Sequence, residues 1–154
     1  IFRLYAGVGN AYGNSATLPY AKQFFCGGPS SLRAFQINSV GPGTSIPQKS
    51  AAFLEPGGDC KMEANAEYRF PIVGFLKGAA FVDAGNTWLL GRDTSLIHSQ
   101  FDVSRFYKEL ALGTGAGLRL DVSFFIVRLD LGIPLRKPTP DESERWVIRN
   151  GDRD

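Results

Sequence analysis

At 154 residues with a formal charge of +2, the chain is the size of one domain or of a piece of a larger one, and it lacks the basic field that nucleic-acid binding requires. Hydrophobic residues make up 44% and glycines number 18, a balance that leans toward an all-β protein with many tight backbone positions. No apolar run is long enough to cross a bilayer as a helix, which leaves a membrane barrel open, because half of each barrel strand faces a polar lumen and lowers the mean hydropathy. The chain opens directly in a strand-like pattern, with neither a start methionine nor a leader, and so reads as cut from something longer.

From Ile1 to Tyr12, Phe2, Leu4, Ala6 and Val8 alternate with Arg3, Tyr5, Gly7 and Gly9, which predicts a first strand. Residues 13–60 are a long connection broken by glycine and proline. Connections this long are uncommon in compact domains and are usually functional or disordered. Here the run Phe24-Phe25-Cys26-Gly27-Gly28-Pro29-Ser30-Ser31-Leu32-Arg33-Ala34-Phe35 argues for order. It has neither helical nor strand periodicity, yet Phe24, Phe25, Leu32 and Phe35 make it apolar, so it should pack against something. Arg33 stands between two apolar residues and cannot shed its proton. If the loop is packed, its guanidinium needs acceptors.

The pattern then becomes regular. From Lys61 to Phe70 the odd positions are Lys61, Glu63, Asn65, Glu67 and Arg69, and the even ones Met62, Ala64, Ala66, Tyr68 and Phe70. From Leu76 to Trp88, Leu76, Ala80, Val82, Ala84 and Trp88 share one face, with Lys77, Asp83 and Thr87 on the other. Residues 89–106 are a polar loop. From Glu109 to Val122, Leu110, Leu112, Thr114, Ala116, Leu118, Leu120 and Val122 lie opposite Gly113, Gly115, Gly117, Arg119 and Asp121. From Phe125 to Leu135, Phe125, Val127, Leu129, Leu131 and Ile133 lie opposite Arg128 and Asp130. After Lys137 the chain turns polar.

Connections alternate as well: 71–75 and 123–124 are short, 13–60 and 89–108 long. Strands of about 9–11 residues with short turns at one end and long loops at the other are what an outer-membrane barrel needs. A soluble sandwich with its apolar faces inward is the plain alternative. The membrane reading is favoured by apolar faces without charges and by opposite faces that mix both charge signs with glycines, as suits a lumen filled by a plug. Glu67 and Asp83 face that lumen from neighbouring strands, several residues from the short turn. Two carboxylates there raise each other's cost of ionisation, and a guanidinium between them removes the conflict. The expectation is that the 13–60 loop folds back into the barrel and docks Arg33 on Glu67 and Asp83; the alternative is three solvated charges.

These residues resemble the BamA/TamA outer-membrane assembly family. Leu18-Pro19-Tyr20 through Phe35 is similar to that family's inward-folded loop, an aromatic run followed by Gly-Gly, a small residue and aliphatic-Arg-Gly-Phe. Phe81-Val82-Asp83-Ala84-Gly85-Asn86-Thr87-Trp88 resembles its Asp-containing strand, and Gly113 to Arg119 with Arg128 to Leu135 its penultimate strands. The wording around Phe106 to Glu109 and Pro134 to Pro138 looks most like the TamA-like branch of Bacteroidetes-type bacteria.

The resemblance implies a sixteen-stranded barrel preceded by periplasmic repeat domains, in the bacterial outer membrane. Residues 1–154 would be a C-terminal portion of that barrel, strands eleven to fifteen, with the final strand and both lips of the lateral seam outside the chain. It implies an insertase that folds client outer-membrane proteins among membrane lipid and accessory assembly subunits, with no enzyme chemistry, cofactor or metal. Arg33 would lock the plug loop on Glu67 and Asp83, and Phe24, Phe25, Gly27, Gly28 and Phe35 would pack it. Ala34 stands where the family usually has glycine, and alanine tolerates positive φ poorly, so a different local backbone is expected. A two-partner-type secretion pore of a related branch carries the same loop and is the second functional reading.

Other chemistry is thin. Cys26 and Cys60 both fall in the long loop, on the outer surface by this topology, where a disulfide closing the loop would stabilise by about 3–4 kcal/mol. A bond and two free thiols remain equally open. His98, the one histidine, sits in a polar loop as a solvated side chain would. Gly113, Gly115 and Gly117 lie inside a strand with no helix after it. They leave room for a docked loop rather than cradle a phosphate. No hydrolase constellation is visible. Trp88, at a strand end, suits an interfacial girdle, with a core aromatic as the alternative.

Overall fold

The computed structural model describes residues 1–13, 18–45, 57–91, 96, 98–122, 124–141 and 144–147. Five strands, β1 (Phe2–Val8), β2 (Cys60–Val73), β3 (Leu76–Trp88), β4 (Ala111–Val122) and β5 (Phe125–Arg136), form one sheet in chain order. Every neighbouring pair is antiparallel. Short single-turn 3-10 segments, Tyr20–Lys22 and Phe106–Lys108, lie in the two long connections. The sheet is open, with β1 and β5 at its edges.

The elements are those the alternation predicts, with shifted ends. β1 stops at Val8, where the ladder hands over to the loop: Gly9 N–H donates to Asp59 O at 2.8 Å. β2 runs on past Phe70 to Val73, so the β2–β3 connection is the pair Gly74-Phe75 and not residues 71–75. The prediction failed there because Pro71 looks like a breaker. Proline cannot donate to a ladder, and the register shifts between Pro71 and Val73 to absorb it. Gly74 turns the chain with φ +47°.

Which side of the sheet is covered decides the architecture. The large apolar side chains of alternate positions lie open: Phe2, Leu4 and Val8 on β1, Tyr68 on β2, Val82 on β3, Leu118 on β4, and Leu129, Leu131 and Ile133 on β5. Leu131, near the middle of its strand, is 72% exposed. The opposite face carries Glu63, Asp83 and Arg119, all buried. A sandwich in water would have this the other way round, since each large apolar side chain left exposed forgoes about 1.5–3 kcal/mol. An oily exterior around a polar, filled interior is the order of a membrane barrel wall.

The covering layer is the β1–β2 connection. The compact apolar cluster is Cys26, Leu32 and Val40 from that loop with Ala111 from β4, and Phe35 packed against it. Two strand glycines make the approach possible. A methyl on Gly132 would meet Ala34 Cα at 2.8 Å and Arg33 O at 3.0 Å, and one on Gly113 would meet the Ala34 methyl. Gly113 and Gly132 are therefore a floor for the loop, whereas Gly115 makes room for the Phe81 ring and Gly117 for the Arg119 and Asp130 side chains, not for the loop as expected.

Leu131→Arg is predicted to cost about 2–4 kcal/mol, the penalty of a charge at the bilayer midplane. Denaturant unfolding from lipid vesicles measures it. Stability within about 0.5 kcal/mol of the parent, as for an ordinary surface site in water, would contradict a lipid-facing sheet.

Candidate functional site

The loop that covers the polar face reverses direction at Gly27 and Gly28, whose φ values of +110° and +100° lie in the left-handed region. Gly28 N–H donates to Leu32 O at 3.2 Å and Phe35 O at 3.1 Å, and Gly27 N–H to Ser31 Oγ at 3.0 Å. These bonds close a tight knot that points Arg33 at the sheet. Ala34 is not among the positive-φ residues, so alanine sits at that position without backbone strain. Its methyl lies over Gly113.

Arg33 meets Asp83 as a fork. Its Nε donates to Oδ2 at 2.8 Å, its Nη2 to Oδ1 at 2.7 Å, and its backbone N–H to Oδ2 at 3.1 Å. Its Nη1 donates to Glu67 Oε2. The guanidinium carbon lies 3.7 Å from the centroid of the Phe81 ring. The Asp83 side chain is 0% exposed and that of Arg33 only 8%. Asn65 Nδ2 bridges the same carboxylate, at 3.0 Å from Oδ1, to the loop at Ser31 O, 2.8 Å away. The register explains the geometry: Asp83 lies opposite Asn65 and Glu67 opposite Phe81, so the two acids are diagonal neighbours on one face.

The structure thus brings Arg33, Glu67 and Asp83 together, and adds partners that alternation alone did not assign. Glu63, fully buried, accepts from Ser31 Oγ and pairs with Lys61 Nζ at 2.8 Å. Glu67 also receives Arg69 Nε at 2.5 Å and Arg119 Nη2 at 3.2 Å. Arg119 in turn pairs with Asp130, which Arg128 Nε holds at 2.8 Å. Arg3 Nη1 donates to Ser30 O at 2.7 Å and Arg128 Nη2 to Pro29 O at 3.2 Å. Arg3 is on β1 and Arg128 on β5, strands that a flat sheet would hold about 19 Å apart. Gripping adjacent carbonyls of one loop tip, they show that the sheet curls around it. Every one of these side chains has the polar-face parity; which acid meets which arginine needed the register and the loop path.

The aromatic packing residues take different positions. Phe24 makes a two-way backbone bridge with Gly58, at 2.8 Å each way, and its ring covers Gly7. Phe25 contacts Tyr20 with ring centroids 5.0 Å apart, and its carbonyl accepts from Lys61 Nζ at 2.6 Å. Phe35 packs on the loop cluster.

The disulfide left open by the sequence is not formed. Cys26 and Cys60 are both free and buried. Cys60 is fixed in the ladder between Val8 and Trp88, whereas the Cys26 sulfur faces Ser31 Oγ at 3.6 Å and Glu63 Oε1 at 3.5 Å. Burial pushes the Cys26 thiol up to about 12, which makes it inert while the loop is docked. Trp88 is a correction too. It is not an interfacial girdle residue but fully buried, donating Nε1–H to Glu109 Oε2 at 2.7 Å and meeting Phe101 edge-on at 5.5 Å. The β3–β4 loop folds over it, which strand alternation does not encode. His98 sits in that loop with φ +65° and an exposed side chain.

Compared with known families, residues 1–153 match the Omp85 superfamily domain. The chain is 23% identical over 163 residues to the outer membrane protein assembly factor BamA of Neisseria meningitidis serogroup B (strain ATCC BAA-335 / MC58). That match covers 94% of this chain and 20% of the relative, so the chain spans about a fifth of the length of that protein.

Arg33→Ala is predicted to destabilise by about 3–5 kcal/mol, because it strands a buried carboxylate at Asp83. Asp83→Asn in the same background should recover part of the loss. Arg33→Lys should not restore the parent value, since an ammonium cannot supply the fork. Unfolding midpoints of the three variants decide; an unchanged midpoint for Arg33→Ala would remove the ion pair from any structural role. Separately, Gly132→Val should lift the loop off β4 and β5 and open residues 24–35 to protease. Limited proteolysis read by mass spectrometry, with an unaltered cleavage pattern, would show that the glycine floor is dispensable.

Proposed function

The chain belongs to the Omp85 superfamily, and from that premise we propose that it is a C-terminal portion of an outer-membrane barrel that folds and inserts other outer-membrane proteins. The observation that carries the reading is the inverted sheet: lipid-compatible side chains outside, and a loop arginine held on Asp83 and Glu67 inside. A polar wall covered by its own loop is held by ion pairs and hydrogen bonds, contacts that can be exchanged. The work needs no covalent step, nucleotide or metal. Incoming strands are templated by backbone pairing at a sheet edge, as in strand addition generally. The Arg33–Asp83–Glu67 contact is the lock of the plug loop, and Phe24, Phe25, Gly27, Gly28 and Phe35 give the loop its shape.

The partners of this reading are outer-membrane lipid, client barrel proteins and accessory assembly subunits. The similarity to an assembly factor favours it over the second reading, a two-partner-type secretion pore, whose loop would gate the passage of one exported protein. The residues from Phe106 to Glu109 and from Pro134 to Pro138 support a placement in the TamA-like branch of Bacteroidetes-type bacteria.

Depletion of the whole protein in its own host, followed by quantitative proteomics of the outer membrane, tests the proposal. Many barrel proteins should fall together, and re-expression of the parent, but not of Arg33→Ala, should restore them. Loss of one secreted protein with the barrel proteins unchanged, together with measurable channel conductance, would replace insertion by secretion.

A further inference from the structure

The two acids that hold Arg33 differ in what they keep when the loop leaves. Asp83 has Arg33 as its one ion-pair partner among the described residues, helped by the Asn65 amide. Glu67 has three guanidiniums: Arg33, Arg69 and Arg119. Arg33 and Arg119 converge on the same oxygen, Oε2, whereas Arg69 takes Oε1. Two guanidiniums on one carboxylate oxygen share a single negative charge and repel each other, with the Arg33, Arg119 and Glu67 side chains only 8%, 5% and 9% exposed.

Arg119 is also an unusual residue to find there. Its side chain is only 5% exposed, its Nε has no hydrogen-bond acceptor among the described residues, and it lies opposite Arg128 in the ladder. Its second acid, Asp130, has a partner without it, since Arg128 Nε sits 2.8 Å away. A buried guanidinium with an orphan donor and a like charge across the strand is not what stability alone would select.

We propose that Arg119 is a positioning residue that competes with Arg33 for Glu67, so that undocking of the plug loop strands one carboxylate, Asp83, and not two. When Arg33 leaves, Arg119 and Arg69 keep Glu67 neutralised and only Asp83 loses its counter-charge. The release cost is concentrated in one ion pair, and the second arm of Arg33 is weakened in advance by its rival. The barrel reading enters only in placing the sheet in a bilayer; the loop equilibrium is measured apart from client assembly, so failure of either leaves the other standing.

The competition predicts a sign opposite to that of an ordinary structural role. Removing a buried arginine that merely braces the wall would loosen the loop. Removing a competitor should tighten it. Cys26 is the natural reporter, a free thiol of the loop itself that docking buries against Glu63 of the sheet. In the whole protein, with Cys60 and any other thiols replaced and the barrel folded in vesicles, Cys26 alkylation by a maleimide reads the undocked population. Arg119→Gln and Arg119→Met should slow alkylation about fivefold or more, and Arg119→Lys, which keeps the charge, should stay near the parent rate. Asp83→Asn should speed it about tenfold or more. Faster alkylation in Arg119→Gln and Arg119→Met, no change in either, or loss of heat-modifiable barrel migration in both would overturn the proposal, because each makes Arg119 a brace or a bystander. Client assembly, assayed in parallel, would show whether a tighter loop also slows insertion.

Discussion

A guanidinium that cannot be deprotonated, carried on a loop that is packed away from water, constrains everything around it. Arg33 must find acceptors within reach, and the sheet supplies Asp83 as a two-pronged partner with Glu67 as a third contact. Three further features follow from that demand. The strands must present carboxylates on the face the loop covers. The strand positions beneath the loop backbone must lack side chains, as Gly113 and Gly132 do. The loop must reverse sharply enough to aim one side chain inward, as Gly27 and Gly28 allow with positive φ.

Meeting that constraint inverts the usual order of a small protein. The covered side of the sheet is polar and densely ion-paired, and the open side is apolar. In water the arrangement would be doubly unfavourable, leaving aliphatic surface wet and charges dry. In a bilayer the outer surface costs nothing, and the inner charges offset one another in a chain from Asp83 through Arg33, Glu67 and Arg119 to Asp130 and Arg128. The membrane is thus the solvent for which this sheet makes sense, and the loop serves as the core that the open face would otherwise lack.

Buried ion pairs of this kind are weak devices for stability and strong ones for geometry, because the desolvation they cost is recovered only when every partner is in place. A loop held by them has a defined seat. The hydrophobic part of the seat, Leu32 and Phe35 with Cys26, Val40 and Ala111, is small. The polar part, Arg33 on Asp83 and Glu67 with Ser31 on Glu63, aims the loop at the sheet.

Periodicity alone determined the five strands, which side of each is oily, and the parity that puts Arg33's acids on the same side, because alternation on a pleated backbone is a local property. The apolar run around a lone arginine pointed to an inward loop, and the resemblance to a family agreed with it. What only the tertiary structure decided were relations between distant segments: that Phe81 lies under Arg33, that Glu63 receives Ser31, that Arg119 shares an oxygen with Arg33, that Trp88 is buried beneath the β3–β4 loop, and that Cys26 and Cys60 stay apart. Strand register and the path of a long loop are set by the sum of many weak contacts across the chain. A pattern read along one strand at a time carries no record of them.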